Sequence, residues 1–223
     1  MFCLNMNMND GNVHNNPTSF KDCSVIWHDV NCNDKSQPDL TMPQYKLVLY
    51  PAVPEFTQLD SDVIITALKK CGLISAVMHE NTFLPGDTFI ELLSFLGCSP
   101  NIVLKPSDGD HFCHVRIKPV LADVHCLGHI ATAIPRCPRC KHKLADWQQT
   151  PDWQLGATAC TCPACHINTA MQNLDWKQAC AYGRMAIDIL NIHPFEAVPS
   201  ESLLTILQTV TNVEWNYCYA ENK

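Results

Sequence analysis

Two turns of the same composition, CPRC at residues 137–140 and CPAC at residues 162–165, stand 21 residues apart in a chain of 223. Two thiols separated by two residues can face one ion when the backbone turns tightly, and a proline inside the turn fixes φ and presets that bend. Two such turns brought together complete a tetrahedron of sulfur, about 2.3 Å from the ion if it is zinc. The pattern ties two stretches of chain to one point, whatever fold surrounds them. A fifth cysteine, Cys160, lies close by. Cys162 and Cys165 reproduce the spacing and proline of Cys137 and Cys140, which leaves Cys160 as the spare. It is read as a small buried side chain ahead of a substitute ligand or redox partner.

Over about residues 135–172 the chain resembles the zinc-ribbon superfamily, whose members join two CPxC knuckles through β-hairpins. The resemblance implies Zn²⁺ held by Cys137, Cys140, Cys162 and Cys165, with iron, as in rubredoxin-like proteins, the lesser reading. Lys141 and His166 stand where a glycine often follows the second cysteine, so looser turns are expected there. Four protein ligands leave no coordination position for water, which makes such a site structural and not catalytic.

Fourteen cysteines suggest disulfides in a small secreted protein. This chain is long, however, and opens MFCLNMNMNDGNVHNN, with neither the basic nor the apolar stretch of a signal peptide, so reduced thiols and a cytoplasmic location are expected. No apolar run approaches the roughly 18 residues that span a bilayer. A formal charge of −7 gives no general attraction to nucleic acid or anionic lipid. Locally, Arg136, Arg139, Lys141 and Lys143 with Trp147 and Trp153 could form a nucleic-acid surface. The same cations would offset the negative charge of a zinc held by four thiolates, and large aromatics more often pack than stack on bases.

Residues 1–43, rich in Asn, Asp and Ser, read as a flexible leader. Residues 44–130 form the first part of an α+β domain, 131–173 an inserted zinc ribbon, and 174–223 the second part. YKLVLY predicts a first strand. Helices are predicted at DSDVIITALKKCG, PGDTFIELLSFLG, LDWKQACAYGRMAIDILNIHP and ESLLTILQTV from apolar spacing and end signals. NIVLKP and HVRIKPV read as a hairpin, GHIATAI as a strand, and VEWNYCYA as a closing strand that could join the first. The expected class is α+β: a small mixed or antiparallel sheet with about four helices and the inserted four-cysteine ribbon.

DHFCH and HCLGH place His111, Cys113, His114, His125, Cys126 and His129 within nineteen positions, a conceivable second metal site. Alternation on a strand sends His114 away from His111 and Cys113, so satisfied histidines are the better reading. No Gly-rich phosphate loop, GxSxG elbow or HExxH is present, and no residue is assigned a catalytic role. The expected function is binding to a protein partner. The alternatives are a nucleic-acid-associated ribbon and an enzyme using a second metal in segment 111–129.

Overall fold

The computed structural model describes residues 44–57, 61–96, 102–106 and 112–222, so the predicted leader lies outside the described residues. In chain order the elements are β1 (Tyr45–Pro51), α1 (Ser61–Lys70), β2 (Ile74–His79), β3 (Thr82–Pro85), α2 (Phe89–Leu92), β4 (Leu93–Phe95), β5 (His114–Ile117) and β6 (His125–His129). There follow β7 (Ala159–Thr161), β8 (Asn168–Ala170), β9 (Cys180–Gly183), β10 (Ile187–Leu190), β11 (Ala197–Pro199), α3 (Glu201–Thr211) and β12 (Trp215–Glu221). Short 3-10 turns occupy Trp147–Gln149 and Met171–Asn173.

The expected balance of helix and strand is corrected. The described residues are mostly β, built on a large antiparallel sheet of six strands in the order β12-β1-β10-β5-β3-β2, and they hold three helices instead of about four. The predicted third helix is two strands, β9 and β10, whose eight residues are all buried. Covered on both faces, such strands lose the alternation that marks a half-buried strand, and an unbroken apolar run then reads equally well as helix. The predicted second helix is a single turn, α2, after which Leu93–Phe95 extend as β4 to pair with β11.

Other expectations meet a mixed outcome. β5 pairs with β10 and β3, and residues 102–106 form no strand, although the Cys113 N–H donates to the Val103 carbonyl at 2.7 Å. The strand sought at GHIATAI lies earlier, at β6. α1 ends as its sequence directs: Gly72 takes a φ of 73° and the Leu73 N–H donates to the Leu68 carbonyl at 3.0 Å, closing the helix with a left-handed glycine. β12 pairs antiparallel with β1 along its whole length, from Tyr45 opposite Glu221 to Pro51 opposite Trp215.

Alternation in β1 separates two cores. Leu47 and Leu49 face a cluster with Ile64 and Leu68 of α1, Leu203 and Leu207 of α3, and Trp215 and Tyr219 of β12. Val48 faces the other way, with Cys218 and Ala220 of β12, against Leu127 of β6 and Ala181 of β9. The β6–β9 pair therefore lies over the face of the sheet opposite the helices. No helix among the described residues is long and apolar enough to cross a membrane.

Candidate metal centre

Both cysteine turns close with the same hydrogen bonds. The N–H of Lys141 donates to the Cys137 carbonyl and that of His166 to the Cys162 carbonyl, each at 2.9 Å. The N–H of each leading cysteine donates five residues on, Cys137 to His142 at 2.9 Å and Cys162 to Ile167 at 3.0 Å. Lys141 and His166 adopt φ of 62° and 58°, the left-handed conformation in which glycine is usually found. The looser turns expected at these positions are therefore not formed, because the two side chains accept the glycine backbone instead.

The matched turns bring four sulfurs together, those of Cys137, Cys140, Cys162 and Cys165 lying within 4.8 Å of one another. Across the turns, Cys137 stands 3.7 Å from Cys165 and Cys140 3.6 Å from Cys162. Sulfurs about 2.3 Å from one ion in a tetrahedron stand ~3.8 Å apart, so the set fits a single four-coordinate metal. Cys137 and Cys162 are buried, Cys165 is half-buried and Cys140 exposed, which places the cluster at the rim of a core. The Cys140 N–H bonded to Cys137 brings its thiol down to about 7, a second N–H from Arg139 adding to the effect. The Ile167 N–H favours a thiolate at Cys165, but burial and the three neighbouring sulfurs outweigh it and push that thiol up to about 12. A metal ion that binds thiols displaces their protons, and a cation takes the protons' place.

The core behind the cluster is aromatic. Trp147 packs edge-on against Trp153 and Trp176, with ring centroids 4.8 Å apart in both pairs, and Trp176 continues to Tyr182 of β9 at 5.6 Å. The indole N–H of Trp147 donates to the Ala133 carbonyl at 2.8 Å, that of Trp176 to Met171 at 2.7 Å, and the Tyr182 hydroxyl to Trp153 at 2.8 Å. These bonds satisfy the polar ends of large side chains as they leave water. Cys160, on β7 opposite Thr169, is buried in this core and stands outside the four-sulfur group. Backbone pairing of Arg136 with Asp175, at 2.9 and 3.0 Å, joins the first turn to the chain leading into β9. The Asp175 carboxylate meets Lys177 at 3.2 Å and Lys141 at 3.6 Å.

The chain matches no protein-family model, and comparison with curated proteins and with solved structures finds no match either.

Among the described residues, the histidines and cysteines of segment 111–129 form no group that could hold a metal. Cys113 is buried with its thiol 3.4 Å from the Asn191 carbonyl, and the His114 and His125 rings meet the carbonyls of Phe112 and Asp123, each at 3.0 Å. His129 lies edge-on to Trp147 and Trp153. His111 falls outside the described residues. Among the described residues the four sulfurs are the one group of three or more His, Cys, Asp or Glu that could hold a metal.

Two close pairs gave no signal in the sequence. Lys46 of β1 meets Asp188 of β10 at 2.8 Å inside the molecule, with Lys118 at 3.7 Å from the same oxygen, although 142 positions separate Lys46 from Asp188. Burial lowers the Lys118 ammonium below the usual lysine value, against the pull of Asp188. The sulfurs of Cys126 and Cys180 stand 3.7 Å apart across 54 positions. Only strand pairing creates either contact.

Proposed function

We propose that Cys137, Cys140, Cys162 and Cys165 hold one Zn²⁺ as a structural centre, and that the protein works by binding a protein partner through the module this ion braces. The observation that carries the reading is the convergence of four sulfurs within 4.8 Å on two turns with the same hydrogen bonds. When bound, zinc supplies charge and four bonds, with no open position for chemistry. Four free thiolates as ligands also favour a reducing compartment, which supports a cytoplasmic location.

Nucleic acid is the weaker partner on two grounds. Trp147 is 3% exposed, and the half-buried Trp153 is engaged edge-on by Trp147 and His129, so the pair offers little free face for base stacking. The formal charge of −7 opposes phosphate. A protein suits the surface better. A cleft of about 580 Å³ beside the first turn is lined by Leu144, Trp147, Pro151 and Pro163 and edged by Lys143 and Asp146, an apolar floor with a charged rim.

Metal analysis of the purified protein should find one zinc per chain, with only sulfur neighbours in X-ray absorption. Iron would overturn the assignment of zinc, and an oxygen or nitrogen neighbour would overturn the structural assignment. A photo-crosslinking residue at Pro151 should capture protein in cells and lose it in Cys140→Ser; capture of RNA instead would reverse the choice of partner.

A further inference from the structure

Apart from the four-sulfur cluster, Cys126 and Cys180 form a second contact between thiols, their sulfurs 3.7 Å apart. The β6–β9 register explains it. Cys126 lies opposite Tyr182 and Gly128 opposite Ala181, so Leu127 is an extra residue and the ladder shifts between them. Cys126, Cys180 and Tyr182 turn toward the aromatic core, whereas Leu127 and Ala181 turn toward the main sheet. To form a disulfide the two sulfurs must close from 3.7 Å to about 2.05 Å.

The two thiols are unequal. Cys126 is part exposed and Cys180 is 1% exposed. Cys180, and not Cys126, shares with Tyr50, Trp176, Lys177, Tyr182 and Asn216 the wall of a cavity of about 280 Å³. Hydrogen bonding from the Cys180 thiol, helped by the Gly128 N–H and by Lys118 and Lys46, lowers the Cys126 thiol despite its burial. Burial, with Cys126 beside it, raises Cys180 well above the ordinary thiol value. The other groups facing the pair supply no opposing charge: Cys218 and Tyr50 are held protonated by burial, and Asp188 is engaged by both lysines.

We propose that Cys126 and Cys180 are a redox couple oxidised by a small hydroperoxide, Cys126 attacking and Cys180 resolving. The Cys126 thiolate attacks the terminal peroxide oxygen, the O–O bond breaks, and the leaving alkoxide or hydroxide takes a proton from solvent. Cys126 is then a sulfenic acid, oxidised by two electrons. The Cys180 thiol attacks that sulfur, its proton leaves with the hydroxyl as water, and the S–S bond forms. The peroxide is reduced to alcohol or water, and a low-molecular-weight dithiol restores both thiols by exchange. The couple stands independently of the metal assignment, since neither sulfur belongs to the four-sulfur group.

The test treats the full-length, metal-loaded protein with one equivalent of hydrogen peroxide at pH 7, blocks free thiols by alkylation and maps peptides by mass spectrometry while a chromogenic chelator follows metal release. The expected product is a 126–180 cross-linked peptide, formed before any metal appears and reversed by dithiothreitol. Cys180→Ala should stop at a sulfenic acid that dimedone traps on Cys126, and Cys126→Ser should abolish the cross-link. Cys126 should react at least about tenfold faster than Cys71, a part-buried thiol outside the pair. Oxidation appearing first among Cys137, Cys140, Cys162 and Cys165, or Cys126 reacting no faster than Cys71, overturns the proposal. So does a mixed disulfide from glutathione disulfide under conditions where peroxide is inert.

Discussion

Left-handed backbone costs a residue with a β-carbon roughly 1–2 kcal/mol, and each cysteine turn accepts that cost once, at Lys141 and at His166. Glycine removes the strain but loses more freedom on folding, so Lys141→Gly and His166→Gly should each stabilise the metal-loaded protein by about 0.5–1 kcal/mol, read as a rise in thermal midpoint. Proton competition at the same site has a definite sign. Above the Cys137 value of about 7 the thiolate is already present, whereas below it the incoming ion must displace one more proton. A plot of log metal affinity against pH should therefore steepen, by about one in slope, as pH falls through that value. Charge also decides the cost of change at Asp188, which is fully buried. Asp188→Asn leaves Lys46 inside the molecule without its counter-charge and should cost about 3–5 kcal/mol in urea unfolding. The paired change Lys46→Met with Asp188→Leu removes both charges and should cost less than Asp188→Asn alone.

Between elements, β6 comes close to β12 and β1 at Gly128, where a β-carbon would stand 2.6 Å from the Ala220 β-carbon and 3.5 Å from Lys46 Cε. Gly128→Ala should force β6 away from β12 and β1 and destabilise by about 1–3 kcal/mol, and Ala220→Gly in the same chain should recover part of that loss. The elements legible in the sequence are those whose signals are local. α1 and α3 bury one stripe each, α3 begins at Ser200, whose hydroxyl accepts from the Leu203 N–H at 3.3 Å, and each ends in a left-handed residue, Gly72 or Asn212. The cysteine turns are local in the same sense, since their ligand spacing and prolines lie within four residues. β9 and β10 were not legible because both their faces are covered, which erases the period that separates strand from helix. The β2–β3 hairpin offered the opposite difficulty: β2 is exposed beyond Ile74, so no alternation of buried and exposed residues marks it. The Lys46–Asp188 and Cys126–Cys180 contacts depend wholly on register, and no single stretch of chain records a register.

Across the described residues the packing runs in order from α1 and α3, through the six-stranded sheet, to the β6–β9 pair and then the four-sulfur turns. Metal removal should travel only part of this way. The helix-side core contains no residue between 131 and 173, while the core behind the sulfurs joins Cys137, Trp147, Cys162 and Met171 to Trp176, Cys180 and Tyr182. Withdrawing an ion bound there leaves the four sulfurs without a common ligand and frees the two turns from each other, so Trp147 and Trp176 should move toward water and their fluorescence shift to the red. Hydrogen exchange should then accelerate at Cys180–Gly183, whose outer face that core covers, while β1, β10 and β12 keep their protection through strand pairing and the helix-side core. Equal acceleration in β1 and β9 would mean that the metal centre and the sheet unfold as one unit. Unchanged exchange in β9 would mean that the aromatic core holds without the ion. The intermediate outcome follows from where the apolar ties lie: the core behind the sulfurs reaches the sheet through β9 and the Trp residues, so stability passes from the metal to the sheet through that layer and weakens on the way.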